Sequence, residues 1–143
     1  MKISIGSDHR GFALKKEIKL FFSNINWIDV GTDSAEKRVD YPLYAKKVCD
    51  DLLQKKACRG ILICGSGVGV SIAANRNKHI YAALCWNQEV ACAARNHDLA
   101  NVLVLPADFV SEDKAIQIVK TWIDSEFLGG RYKERLNMID ALS

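Results

Sequence analysis

Short runs that are apolar at nearly every position recur along the chain, separated by stretches whose apolar positions return every three or four residues. "KISIG" (2–6), "WIDVG" (27–31), "GILIC" (60–64), "YAALC" (81–85) and "NVLVL" (101–105) have strand length. Several lack any polar alternation, as expected of strands covered on both faces. Between them, Leu14, Ile18, Phe21 and Phe22 fall on one helix face, as do Tyr41, Ala45, Val48 and Leu52, and later Ile116, Val119 and Ile123. Pro42 suits a first helical turn, and Ser111 ahead of "EDKAI" reads as an N-cap. A last helix, "RYKERLNMI", is expected to begin after Gly129 and Gly130. Strict strand–helix alternation predicts an α/β fold: a three-layer α/β/α sandwich, Rossmann-like or flavodoxin-like, around a five-stranded parallel sheet.

Composition narrows the functional classes. With 143 residues, 49% of them hydrophobic, the chain can bury one core, so residues 1–143 are expected to form a single domain. A formal net charge of +3, with basic and acidic residues interspersed, gives no footprint for nucleic acid. The N-terminal "MKISIGSDHR" reaches charged residues before a signal-peptide core could form, and no apolar run approaches the roughly 18 residues of a membrane span. The expectation is a cytoplasmic protein with no membrane partner. Five cysteines (Cys49, Cys58, Cys64, Cys85 and Cys92) include no C-x-x-C pair, so neither a disulfide framework nor a metal site is signalled, and most are expected to be buried small hydrophobes.

In this architecture ligands bind beyond the carboxyl ends of the strands. Polar, titratable residues gather at those ends: Asp8 and His9 in "SDHRG"; Asp33, Arg38 and Asp40 leading to Tyr41; Cys64 with Gly65, Gly67 and Gly69; and His97 with Asp98 in "RNHD". The three glycines can take positive φ and let backbone N–H groups converge at a helix N-terminus, forming a nest for an anion or oxyanion. A plain strand-to-helix turn needs only one or two. The spacing is not that of a dinucleotide fingerprint, no lysine completes a Walker loop, and Val70 stands where a cysteine phosphatase needs arginine.

Cys64 has two readings. A cysteine closing an apolar strand is ordinary packing, but one beside a helix N-terminus is in a setting that lowers the thiol pKa from about 8.5 and allows a base or nucleophile. His97 can likewise be a helix-terminating residue, His9 a cap for the first helix, and His79 a surface loop residue. Arg131 and Arg135, four apart on the last helix, read either as a solvated basic face or as an anion site.

Taken together, "GSDHRGF", "DYP", "ILICGSGVGVSIAANR", "NHDLANVL" and "GGRYKERL" resemble, in order and over nearly the whole chain, the ribose-5-phosphate isomerase type B family, which includes galactose-6-phosphate isomerase. The resemblance implies an aldose–ketose isomerase that takes a small phosphorylated sugar, uses no metal or cofactor, and works as a homodimer or dimer of dimers with shared sites. It matches Cys64 to the catalytic base, and Ser66 and His97 to ring opening, with His97 coming from the neighbouring subunit. It matches Asp8 and Tyr41 to sugar contacts, His9, Arg131 and Arg135 to phosphate ligands, and Gly65, Gly67 and Gly69 to the oxyanion loop. Some members carry a glutamate base at the position of Val70, and valine cannot titrate. Asp98 occupies a substrate-binding position where the family usually has asparagine, and Asp108 falls near where a phosphate-binding arginine is usual. A carboxylate beside an enediolate or phosphate is repulsive unless protonated or turned away. The alternatives are an isomerase of a six-carbon sugar phosphate, a non-catalytic sugar-phosphate or nucleotide-binding module, and a flavin carrier of flavodoxin type.

Overall fold

The computed structural model describes residues 1–142. Eleven elements follow in chain order: β1 (Lys2–Ser7), α1 (Phe12–Phe21), β2 (Asn26–Asp29), α2 (Tyr41–Leu53), β3 (Arg59–Cys64), α3 (Val68–Asn75), β4 (Ala82–Leu84), α4 (Gln88–Asp98), β5 (Val102–Pro106), α5 (Glu112–Asp124) and α6 (Arg131–Asp140). All strand pairs are parallel, in the order β2-β1-β3-β5-β4. The α/β/α sandwich is the expected one, but the order is not that of flavodoxin, because β5 inserts between β3 and β4. That insertion explains the burial. Strand β5 is buried at every position, whereas the edge strand β4 is only half-buried and shortens from "YAALC" to three residues.

Side-chain alternation divides the core. Ile61 and Ile63 pack with Ile3, Ile5, Leu103 and Leu105 against Ile18, Ala94, Ile118 and Trp122, on the side of α1, α4 and α5. Leu62 and Cys64 face the other way, with Val102 and Val104, against Ala45, Val48, Val70 and Ala74 of α2 and α3. The period of β3 therefore decides that Cys64 faces the α2–α3 layer.

One expectation needs correction: Phe21 is exposed, because α1 ends there and the inward stripe continues through Phe22 and Ile25 instead. Most of the cysteines are buried, as expected: Cys49, Cys64 and Cys85 are, while Cys92 is intermediate and Cys58, before β3, is exposed. Ser111 does cap α5, its Oγ accepting the Lys114 N–H at 3.2 Å. Helix α6 docks on its own chain: Leu136 is buried, and Tyr81 donates from its hydroxyl to the Asp140 carboxylate at 2.7 Å. Among the described residues no helix is long and apolar enough to cross a membrane.

A buried cation holds the β2 end of the sheet. Lys15, 2% exposed, donates to Asp29 Oδ1 at 2.6 Å and to the Thr32 carbonyl at 2.7 Å, while Lys19 takes Asp29 Oδ2 at 2.7 Å. Burial works against the charged Asp29 carboxylate, but bonds from Lys15, Lys19 and the Gly31 N–H outweigh it and hold its pKa below the ordinary 3.8. A carboxylate lowered in the native state adds stability above its unfolded pKa, and that stability disappears as pH falls through the native value. Asp29→Asn should therefore lower the urea midpoint at pH 6 and flatten its decline below about pH 4, read from midpoints across pH. At the other end, burial, the bond to Asp140 and the Asp140 charge push the Tyr81 hydroxyl up to about 12. The folded chain then keeps a proton that the unfolded chain releases near 10, so stability should fall between about pH 10 and 12. Thermal midpoints of Tyr81→Phe should show a shallower loss than wild type across that window.

Candidate active site

The carboxyl edge of the sheet carries a loop from Cys64 to Val70, held by its neighbours on three sides. Just after β5, the Ala107 and Asp108 N–H groups donate to the carbonyls of Cys64 and Gly65, both at 2.9 Å. Gly67 caps α3 at φ 76°, a conformation that disfavours any side chain, and a Cβ there would stand 3.2 Å from Val104 Cγ1. Gly65 and Gly69 are outside the positive-φ region, contrary to the expectation for all three. They are needed for space. A Cβ at Gly69 would overlap the Tyr41 ring, 2.5 Å from its hydroxyl, and one at Gly65 would stand 2.8 Å from Asp108 Oδ2 and 3.1 Å from Arg10 Nε.

The donors of this loop are open. Val68 N–H is taken by Ser66 Oγ at 3.2 Å. Among the described residues, the N–H groups of Ser66, Gly67, Gly69 and Val70 meet no protein acceptor. The Ser66 side chain is exposed and its hydroxyl proton is free to donate. Convergent unpaired amides at a helix N-terminus favour a negative oxygen.

Cys64 lies below this loop at 5% exposure, in the aliphatic cluster with Val48 and Val70. Burial pushes the Cys49 thiol up to about 11 and the Cys85 thiol up to about 12, which disfavours a thiolate at either.

The β1–α1 turn supplies Asp8 and His9. Asp8 is 6% exposed, and its Oδ1 accepts the N–H groups of Arg10 at 3.0 Å and Gly11 at 3.1 Å, so it is the residue that closes this turn. His9 is not a helix cap: its Nδ1 accepts the Val39 N–H at 3.3 Å, tying the turn to the β2–α2 loop. In the neutral ring that bond leaves the proton on Nε2, as a donor. Tyr41, at the first position of α2, brings its ring over Gly69.

A second group lies where α4 meets α6. The His97 ring stacks on Tyr132, with centroids 4.5 Å apart and planes at 18°. Arg131 and Arg135 both lie over the Tyr132 ring, at 5.2 and 5.8 Å. Asp98 ends α4 in an exposed position with no ion-pair partner among the described residues. No hydrogen bond, ion pair or ring stack between described residues links this group to the Cys64 loop. The surface loop residue His79 instead approaches Asp140, at 3.5 Å.

Two residues in these groups were not singled out by the sequence. Tyr132 is a platform for three site candidates; its signal was an aromatic directly after Arg131 and one turn before Arg135. Arg10, in "SDHRG", pairs with Asp108 over Gly65. Among the described residues no group of three or more histidine, cysteine or carboxylate side chains is arranged to hold a metal.

Comparison with known proteins places the whole chain among sugar-phosphate isomerases. The chain is 41% identical over 143 residues to ribose-5-phosphate isomerase B of Escherichia coli, covering 99% of this chain and 95% of that protein. A crystal structure of a ribose 5-phosphate isomerase from Thermotoga maritima superposes with a TM-score of 0.96 at 45% identity, covering 99% of this chain and 98% of that one. Ribose-5-phosphate isomerase B from Mycoplasma genitalium, solved with bound ribulose-5-phosphate, superposes with a TM-score of 0.92 at 41% identity, covering 97% and 93%. The model of the Ribose/Galactose Isomerase family matches residues 3–139, and with the strand order and glycine loop described above, this chain belongs to that family.

Proposed function

We propose that this chain interconverts ribose 5-phosphate and ribulose 5-phosphate through a cis-enediolate, with Cys64 as the base. The observation that carries the proposal is the position of Cys64 at the end of β3, directly before a loop in which the amides of Ser66, Gly67, Gly69 and Val70 are unpaired. The close relatives named for this reaction supply the substrate.

Ser66 and His97 open the furanose by moving a proton between the ring oxygen and the anomeric hydroxyl. The Cys64 thiolate then takes the proton from C2; the C–H electron pair becomes the C1–C2 double bond, and the negative charge moves to O1. Loop amides from Gly65 to Gly69 hold that charge, a type of contribution worth roughly 3 to 4 kcal/mol per donor. The O2 hydroxyl proton passes to O1, the Cys64 thiol returns its proton to C1, and a carbonyl forms at C2. No electron enters or leaves. Asp8 and Tyr41 contact the sugar hydroxyls, while His9, Arg131 and Arg135 bind phosphate, which holds C1 and C2 over the sulfur.

Among the described residues no hydrogen bond, ion pair or ring stack joins the His97 group to the Cys64 loop, which supports a complete site drawn from two subunits of a homodimer. Exposed Leu43, Val68, Ile72 and Trp86, on and around the loop face, supply apolar surface for such an interface. Asp98 faces solvent in the single chain, and in the dimer it would reach the neighbouring site beside His97.

Burial of Cys64 would also suit a purely packing cysteine, and one substitution separates the two. Cys64→Ala should lower kcat for ribose 5-phosphate by about 10²- to 10⁴-fold or more, with the circular dichroism spectrum unchanged, in assays containing EDTA. Near wild-type turnover would assign Cys64 to packing. Shared sites have their own readout. Equal amounts of Cys64→Ala and His97→Ala chains, unfolded together and refolded, should regain about one quarter of wild-type turnover, because half the dimers then carry one intact site. Sites built within one chain would regain nothing.

A further inference from the structure

The resemblance leads one to expect trouble at Asp108, a carboxylate at the rim of an anion site. The structure shows how it is neutralised. Asp108 Oδ2 forms an ion pair with Arg10 Nη2, and the pair closes directly over Gly65, next to the proposed base. Both partners are anchored at their backbones. The Arg10 N–H donates to Asp8 Oδ1 at 3.0 Å, and the Asp108 N–H donates to the Gly65 carbonyl at 2.9 Å. An arginine held at its Nη2 still has unpaired N–H donors, and Arg10 keeps 59% of its side chain exposed.

We infer that Arg10 is a phosphate-binding residue of this site and that Asp108 is its positioning residue. The inference rests on the sugar-phosphate reading of the same site. Burial decides which end of the substrate Arg10 meets. Cys64 at 5% exposure takes the reacting carbons at the bottom of the site, and Arg10 at the open rim meets the far end, which carries the phosphate. A guanidinium with one edge bound to a carboxylate presents its other edge in a fixed direction, suited to a phosphate's oxygens. The cation therefore comes from the β1–α1 turn and its support from the β5–α5 loop.

Inorganic phosphate, titrated calorimetrically into the folded protein, reads this without turnover. Arg10→Ala should weaken phosphate binding about tenfold, and Arg10→Lys should recover part of the loss. Asp108→Asn gives the sharper result. By charge alone, removing a carboxylate beside the site would tighten phosphate binding; a positioning role predicts weakening, by about threefold. With ribose 5-phosphate, Arg10→Ala should raise KM about tenfold and lower kcat less than twofold.

Unchanged phosphate affinity in Arg10→Ala would overturn the inference even in an active isomerase, and tighter binding by Asp108→Asn would overturn the positioning role. If wild type bound phosphate in an Arg10-dependent way but did not isomerise ribose 5-phosphate, the failure would lie with the proposed reaction instead.

Discussion

Close approach to the backbone between Cys64 and Val70 is the constraint on which the site depends. Tyr41 lies against the peptide at Gly69, the Arg10–Asp108 pair covers Gly65, and Val104 packs under Gly67. A Cβ at Gly69 would overlap Tyr41 Cζ and one at Gly67 would stand 2.5 Å from Leu84 Cδ1, so a side chain at either position would push its neighbour off the loop. The glycines therefore bring three elements, from different parts of the chain, within contact distance of a single loop. The amides of Ser66, Gly67, Gly69 and Val70 also meet no protein acceptor among the described residues, as a bound oxyanion would require. Only Gly67 is there for its dihedral angle; the other two are there for the space they leave.

Two carboxylates beside the Cys64 loop are already engaged. Asp8 is consumed by the amides of its own turn, and Asp108 by Arg10, so neither offers free negative charge to an incoming anion. The cations are left open. Arg131 and Arg135 lie over one aromatic face, which gathers two like charges that would otherwise repel and holds both within reach of the same ligand. The stacked His97 ring shares that platform. Helix α6 thus carries two arginines and a stacked histidine around one tyrosine, and its far end is tied by Asp140 to Tyr81, just before β4. Buried Leu136 between the two fixes the helix rotation that brings Tyr132 to His97.

Much of the arrangement could be read along the chain. Apolar runs and helical periods located the strands and most of the helices to within a few residues, because each pattern reflects whether one face or both are covered. The departures have local causes. The face expected through Phe21 turned at Phe22 because the helix stops there, and "YAALC" shortened because it lies at the sheet edge with only β5 for a partner. Candidate site residues were legible wherever a motif named them, as with Cys64 and the glycines. Arg10 and Tyr132 were not, because an arginine in a turn or a tyrosine in a basic helix acquires significance only from what lies opposite it.

Strand–helix alternation and the helical periods determined the layered fold and the place of Cys64 at a strand end, whereas the layer that Cys64 faces in the uniformly apolar β3 came from the tertiary structure. Strand order, the insertion of β5 beside β3, the pairing of Arg10 with Asp108 from opposite ends of the sheet's connectivity, and the stacking of His97 on Tyr132 were decided by the tertiary structure. Each of these joins residues distant in sequence through packing and charge complementarity, and neither leaves a periodic trace in the order of amino acids.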